Sequence, residues 1–177
     1  YEAVERFIEE LLRAFAMGLD LDSEFFNAYV DRHSSYLRAT NYPELHEPLL
    51  PGQVRAGEHC DYGSLTVLWT QAPGLQVNYQ NEWMDVPVVE NGLIVNLGNL
   101  MAAWTNDKWC STLHRVVPHY DDAGVARRKS SLVFFHIPNW DAEIACLPSC
   151  VTADSPPKYP PITTGDFVME LVAKQYT

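Results

Sequence analysis

Val4, Phe7, Ile8, Leu11, Leu12 and Phe15 recur at spacings of three and four, with Glu and Arg filling the intervening positions. That is the apolar stripe of an amphipathic helix, and Gly18 is its predicted stop. Ser23 is placed to cap a second, short helix running to about Asp31, with Phe25, Phe26 and Tyr29 turned inward. From about Tyr36 the texture changes to short β-rich runs at 36–42, 52–58, 63–70, 74–79, 92–97, 110–117, 130–137 and 142–147. Turn dipeptides such as Pro51-Gly52, Pro73-Gly74 and Asn91-Gly92 punctuate them. Residues 98–109 read as a helical or looped interruption, and the Pro-rich stretch 155–161 as a surface connection. Thr164 is the predicted cap of a last helix carrying Phe167, Val168, Leu171 and Val172. The pattern predicts a mainly β fold, an antiparallel barrel or sandwich, with N-terminal helices and a short C-terminal helix.

Composition narrows the function. The 177 residues are the size of one domain, and 47% hydrophobic with 20% charged residues is a globular balance. Twelve Lys and Arg against 23 Asp and Glu give a formal net charge of -11, which argues against a nucleic-acid or anionic-membrane partner and for a small-molecule one. No apolar run approaches the roughly 18–20 residues of a membrane span. No signal-peptide pattern opens the chain, and Tyr1 falls inside a helical pattern, so the chain reads as a truncated or processed piece. Cys60, Cys110, Cys146 and Cys150 do not form a disulfide framework; reduced thiols and a cytoplasmic location are the expectation.

Two features carry chemistry. His59-Cys60-Asp61 begins a predicted strand, and residues i and i+2 of a strand share a face, so an imidazole and a carboxylate meet at one point. His114 lies in the run Ser111–Val117. Two His and one carboxylate on one side of a metal leave the other side open, the facial triad of non-haem Fe(II) oxygenases, although zinc accepts the same ligand types. The second feature is Arg127-Arg128-Lys129 followed by Ser130-Ser131 and the apolar Leu132-Val133-Phe134-Phe135. A cation and a hydroxyl two residues apart on one strand face make a carboxylate clamp.

The run Gly57-Glu58-His59-Cys60-Asp61-Tyr62-Gly63-Ser64-Leu65-Thr66 resembles the iron motif of the 2-oxoglutarate and Fe(II)-dependent oxygenases, in the branch that includes isopenicillin N synthase. Gly74-Leu75-Gln76-Val77, Trp83-Met84-Asp85-Val86-Pro87, Ile94-Val95-Asn96-Leu97-Gly98 and Trp104-Thr105-Asn106-Asp107 continue the likeness in order. Ser111-Thr112-Leu113-His114-Arg115-Val116 matches the second histidine motif, and Tyr159-Pro160-Pro161-Ile162-Thr163 the ending. The resemblance covers roughly residues 36–177. It implies a double-stranded β-helix (jelly roll): helical support over 1–35, a jelly-roll core over 36–150 and a C-terminal extension over 151–177, one oxygenase domain lacking the family's additional N-terminal region.

The resemblance further implies His59, Asp61 and His114 as Fe(II) ligands, 2-oxoglutarate as co-substrate and O2 as oxidant, with a small organic substrate oxidised, most simply hydroxylated, as succinate and CO2 are released. The family's clamp reads Arg-x-Ser before an aromatic pair. Registering on Phe134-Phe135 and Pro138 puts Lys129 at the Arg and Ser131 at the Ser, and a slip of one residue makes Arg128 and Ser130 the pair. Thr40-Asn41-Tyr42-Pro43 resembles the family's Asn-x-Tyr-Pro strand, which makes Tyr42 a co-substrate contact. The alternatives are a same-fold oxidase that does not use 2-oxoglutarate, as in oxidative cyclisation; a catalytically incomplete ligand-binding fragment; and a zinc hydrolase, for which no general base stands beside the site. Around these residues plainer roles are expected: the tryptophans as packing, His136 as a satisfied core histidine, His33, His46 and His119 as solvated, Arg115 in a structural salt bridge, Cys60 turned from the metal, and Asn96 and Asn99 as hydrogen bonders at turns and barrel ends.

Overall fold

A computed structural model describes residues 1–47 and 49–175. The chain opens with α1 (Glu2–Gly18) and α2 (Asn27–Val30), then β1 (Tyr36–Tyr42), β2 (Ala56–His59), β3 (Leu65–Thr70), β4 (Leu75–Tyr79), β5 (Glu82–Asp85) and β6 (Ile94–Leu97). There follow α3 (Asn99–Trp104), β7 (His114–Val116), β8 (Lys129–His136), β9 (Glu143–Ile144), β10 (Ile162–Thr163) and α4 (Thr164–Gln175). No helix among the described residues is long and apolar enough to cross a membrane.

Two four-stranded antiparallel sheets, ordered β1-β8-β3-β6 and β2-β7-β4-β5, make the jelly roll that the resemblance implies. The helices flank it. α1 lays its buried stripe, Ile8, Leu12 and Ala16, against one cluster with Leu65 and Val67 of β3, Phe134 of β8, and Leu100, Met101 and Trp104 of α3. This core lies on the outer face of the first sheet. Strand alternation then decides everything else on β8: Phe134 and His136 turn to the helices, while Lys129, Ser131, Val133 and Phe135 turn to the space between the sheets.

Several boundaries differ from the sequence expectation. The second helix has only four residues, because Asp22 Oδ1, not Ser23, accepts the Glu24 amide at 2.9 Å and makes a turn of the preceding residues. β5 has no counterpart among the predicted strands; it is short and mostly exposed, so it carries no alternating apolar signal. It pairs with β4 through Gln80 and Asn81, at φ of 51° and 66°, the left-handed conformation of a tight hairpin turn. The last helix is capped one residue earlier than expected. Thr163 Oγ1 accepts the Asp166 amide at 3.1 Å and donates to Asp166 Oδ2 at 2.7 Å, a reciprocal cap. Thr164 is instead buried, its hydroxyl donating to Ala142 O at 3.3 Å.

Candidate metal centre and its cavity

His59 ends β2, His114 begins β7, and the two are directly paired in the sheet. Their rings lie 4.3 Å apart, centre to centre. Asp61 follows β2 by two residues and is held from behind. The amides of Asn99 and Leu100, at the start of α3, donate to Asp61 O at 2.8 Å and Tyr62 O at 3.1 Å. This close approach needs glycine, since a Cβ on Gly98 would collide with Gly63 O and press on Asp61 O. Asp61 Oδ1 thereby sits 4.0 Å from His59 Nε2 and 3.8 Å from His114 Nε2. Among the described residues this is the one group of three or more His, Cys, Asp and Glu placed to share a metal ion, with ligand atoms all within 4.8 Å of one another.

The donor set suits a divalent cation. His59 Nδ1 faces Gly57 O and His114 Nδ1 faces Thr112 O, both at 2.8 Å. A carbonyl only accepts, so each Nδ1 carries the proton and each Nε2 lone pair is left for a metal. Asp61 is 6% exposed, and its second oxygen, Oδ2, accepts from Asn96 Nδ2 at 2.8 Å. One carboxylate oxygen is thus anchored and the other is left for the ion. Asn96, expected only as a barrel-end hydrogen bonder, therefore orients the carboxylate that the sequence pattern singles out.

From this centre a cavity of about 330 Å³ runs between the sheets, with Leu68, Leu75, Val77 and Ile94 among its walls. Its other end is cationic. Lys129 is 3% exposed, and its ammonium donates to Thr70 Oγ1 at 2.6 Å and, in a shorter contact, to Ala72 O. Ser131 Oγ donates to the same Thr70 Oγ1 at 3.2 Å. Burial, and secondarily the Arg55 charge, push the Lys129 pKa down to about 8. Tyr42 lines this end, paired in register with Lys129, and burial pushes its hydroxyl pKa up against the opposing pull of Arg38 and Arg55.

Lys129 and Ser131 face the cavity; Arg128 and Ser130 do not. Arg128 Nε instead donates to Asn41 Oδ1 at 2.6 Å on the exposed side. The slipped register would have turned Phe134, 1% exposed, out of the helix-packed core. Thr70 is a polar partner that sequence reasoning missed, although the alternation Thr66, Leu68, Thr70 already put it on one face.

The plainer expectations divide. His136 is 2% exposed on the helix-covered face, with Nδ1 2.6 Å from Ser64 Oγ, and burial, with the nearby His33, pushes its pKa down to about 3. The tryptophans stay off the cavity lining. His33 is half-buried rather than solvated, its Nε2 2.9 Å from Glu5 Oε1. Arg115 stacks instead of forming the expected salt bridge; it lies 4.1 Å over the Trp83 ring, and its Nε donates to Gln76 Oε1 at 2.8 Å. The four cysteines are free thiols.

A family model described as the 2OG-Fe(II) oxygenase superfamily matches residues 25–138. The chain is 34% identical, over 99% of its own length, to the 2-oxoglutarate-Fe(II) type oxidoreductase hxnY of Emericella nidulans, of which it covers 50%. Its fold superposes with a TM-score of 0.92 on the crystal structure of a full-length Neurospora crassa protein in complex with α-ketoglutarate, at 37% identity and covering 98% of this chain and 54% of that one. A second structure of the Neurospora protein, with α-ketoglutarate and thymine, gives a TM-score of 0.91 at 35% identity, covering 99% of this chain and 54% of that one. The chain thus spans about half the length of the curated relatives it matches.

Proposed function

This chain belongs to the 2OG-Fe(II) oxygenase superfamily, and on that premise we propose that it is the oxygenase domain, over residues 1–177, of a non-haem Fe(II) and 2-oxoglutarate-dependent dioxygenase that oxidises a small organic substrate. Within the superfamily the reading places it in the isopenicillin N synthase-like branch, on the motifs around His59, Asp61 and His114. The observation that carries the reading is one continuous cavity with a three-ligand metal centre at one end and a buried Lys129, Ser131 and Thr70 cluster at the other. A zinc hydrolase would have no use for that second, cationic end. Four free thiols support a reducing compartment, the cytoplasm.

His59, Asp61 and His114 would hold Fe(II), which would supply O2 activation coupled to decarboxylation of 2-oxoglutarate to succinate and CO2, with oxidation of a substrate C–H bond. The chain does the rest by placement. Lys129 and Ser131 bind the far carboxylate of 2-oxoglutarate through charge-assisted hydrogen bonds, with Tyr42 beside them. Lys129 is pre-oriented for this by Thr70, whose Oγ1 accepts from both clamp side chains. Lys129 is buried among largely apolar walls, so the clamp acts in a low-dielectric space and fixes the co-substrate's direction along the cavity. Asn96 keeps Asp61 from rotating, and the two backbone carbonyls keep each imidazole in its ligating tautomer.

The mouth suggests the substrate class. Tyr36 and Phe135 stack with centroids 4.9 Å apart, and the Arg38 guanidinium carbon lies 5.6 Å over the Phe135 ring. A planar molecule bearing carbonyl or carboxylate oxygens would lie against this aromatic pair and accept from Arg38, in keeping with the thymine in complex with the Neurospora protein.

The test is an anaerobic titration of the protein with Fe(II) and then 2-oxoglutarate, following the visible metal-to-ligand charge-transfer band. A saturable band that needs both components is expected. Iron binding without the band would instead favour an oxidase that does not use 2-oxoglutarate. No iron binding would overturn the reading in favour of a zinc site or a binding-only jelly roll.

A further inference from the structure

One residue of the cavity wall carries a buried polar atom that the fold leaves unsatisfied. Thr66, in the middle of β3, is 3% exposed; its side chain lines the same cavity as the metal centre and Lys129; and its Oγ1 has no hydrogen-bond partner among the described residues. Two of its polar neighbours do have partners. Thr70, four residues along the same strand, serves Lys129 and Ser131. Asn96, paired with Thr66 across β3 and β6, is committed to Asp61. Among the described residues one other buried side-chain polar atom lacks a partner, His33 Nδ1, and that residue lines a separate small cleft beneath α1.

A buried hydroxyl without a partner weakens a fold relative to a methyl of the same size. Valine is nearly isosteric with threonine and equally at home in a strand, so local structure alone gives no reason for the hydroxyl. Its position supplies one. Thr66 stands beside Asn96 and Asp61 at the metal end of β3, about 13 Å of strand from Thr70 at the clamp end, taking roughly 3.3 Å per residue. A dicarboxylate lying along this cavity brings its second carboxylate to the metal end. A carboxylate has two oxygens, and one turned toward the largely apolar wall needs a hydrogen-bond donor there. A carboxylate only accepts, a hydroxyl donates, and the Asn96 amide is already directed at Asp61.

We propose that Thr66 is a co-substrate-binding residue whose hydroxyl donates to the metal-end carboxylate of 2-oxoglutarate. The inference rests on the reading of the cavity as a 2-oxoglutarate site. It assigns that ligand a third point of recognition besides the metal and the Lys129–Ser131 clamp.

Thr66→Val and Thr66→Ser separate this role from a structural one. Metal-free Thr66→Val should melt at or above the wild-type temperature, because an unsatisfied hydroxyl has been removed. Its Fe(II) affinity, titrated in the absence of co-substrate, should equal that of the wild type. Its dissociation constant for 2-oxoglutarate, read anaerobically from the charge-transfer band, should rise about tenfold, the effect of losing one charge-assisted hydrogen bond, and the band maximum should move. Thr66→Ser should restore both affinity and band position. A wild-type band left unchanged in affinity and position by Thr66→Val would overturn the inference alone. A loss of thermal stability in Thr66→Val that matches its loss of affinity would overturn it too, showing a packing role. Absence of the band in the wild type would overturn the reading of the cavity and this inference with it.

Discussion

Lys129 and His136 lie at opposite ends of one strand, on opposite faces of one sheet, and both are at most 3% exposed. Burial lowers the pKa of each, Lys129 to about 8 and His136 to about 3. Their surroundings differ. Lys129 faces a cavity of about 330 Å³, with room for an anion, and is steered by Thr70. His136 faces the helix-covered core, beside Ser64 and His33, with a cleft of only about 30 Å³ next to it. A buried basic group with empty volume in front of it waits for a counter-charge; one packed into a covered core stays neutral and serves the fold. Burial and a shifted pKa alone do not separate the two cases.

Substitutions should separate the two faces cleanly. Asp61→Ala should abolish Fe(II)-dependent turnover of 2-oxoglutarate while leaving the melting temperature nearly unchanged. Normal turnover in that variant would sink the metal assignment. On the other face, Phe134→Ala should cost about 3–5 kcal/mol of stability, the range for removing a buried phenyl ring, as measured by denaturant unfolding. A loss near zero would mean that α1 does not pack on β8. Lys129→Ala should raise the 2-oxoglutarate requirement by about tenfold or more, since it removes a charged donor in an apolar space. Arg128→Ala, one residue away on the exposed side, should leave it unchanged, and the reverse result would break the register.

The two groups should also separate by pH. For His136 the folded pKa of about 3 lies below the ordinary value of 6.5. The unfolded chain therefore takes up a proton that the folded one refuses. Stability should be full above about pH 6.5 and fall as pH drops from there through 3, by up to about 1.4 kcal/mol per pH unit, and His136→Gln should flatten that slope. For Lys129 the folded pKa of about 8 lies below the ordinary 10.5. The metal-free fold should gain a little stability from pH 8 to 10.5, while affinity for 2-oxoglutarate weakens above about pH 8 as the ammonium loses its charge. An affinity that stays flat across that pKa would show that Lys129 is not the anion's partner.

Regions with one dominant local period were legible in advance. The stripe from Val4 to Phe15 became α1, and the run 36–42 became β1 with the same bounds. His59, Asp61 and His114 were legible because a short, specific motif places them, and the structure brings their ligand atoms together. β5 was not, because four mostly exposed residues owe their strand conformation to pairing with β4. Thr70 and the carboxylate-orienting role of Asn96 were missed for a related reason. Each is ordinary in its own strand and gains a role only from a partner 61 or 35 positions away, Ser131 or Asp61. His33, expected in solvent, is drawn in by Glu5 of α1, 28 positions away.

The sequence by itself determined the mainly β class, the helical ends, the metal-ligand trio and two possible clamp registers. These follow from interactions within a few residues, from the two periods of strand and helix, and from motif spacing. Only the tertiary structure decided which of these residues face the cavity. Phe134 must be buried beneath α1, and β8 pairs in regular register with both neighbours, so that one distant packing requirement turns Lys129 and Ser131 into the cavity and Arg128 out of it.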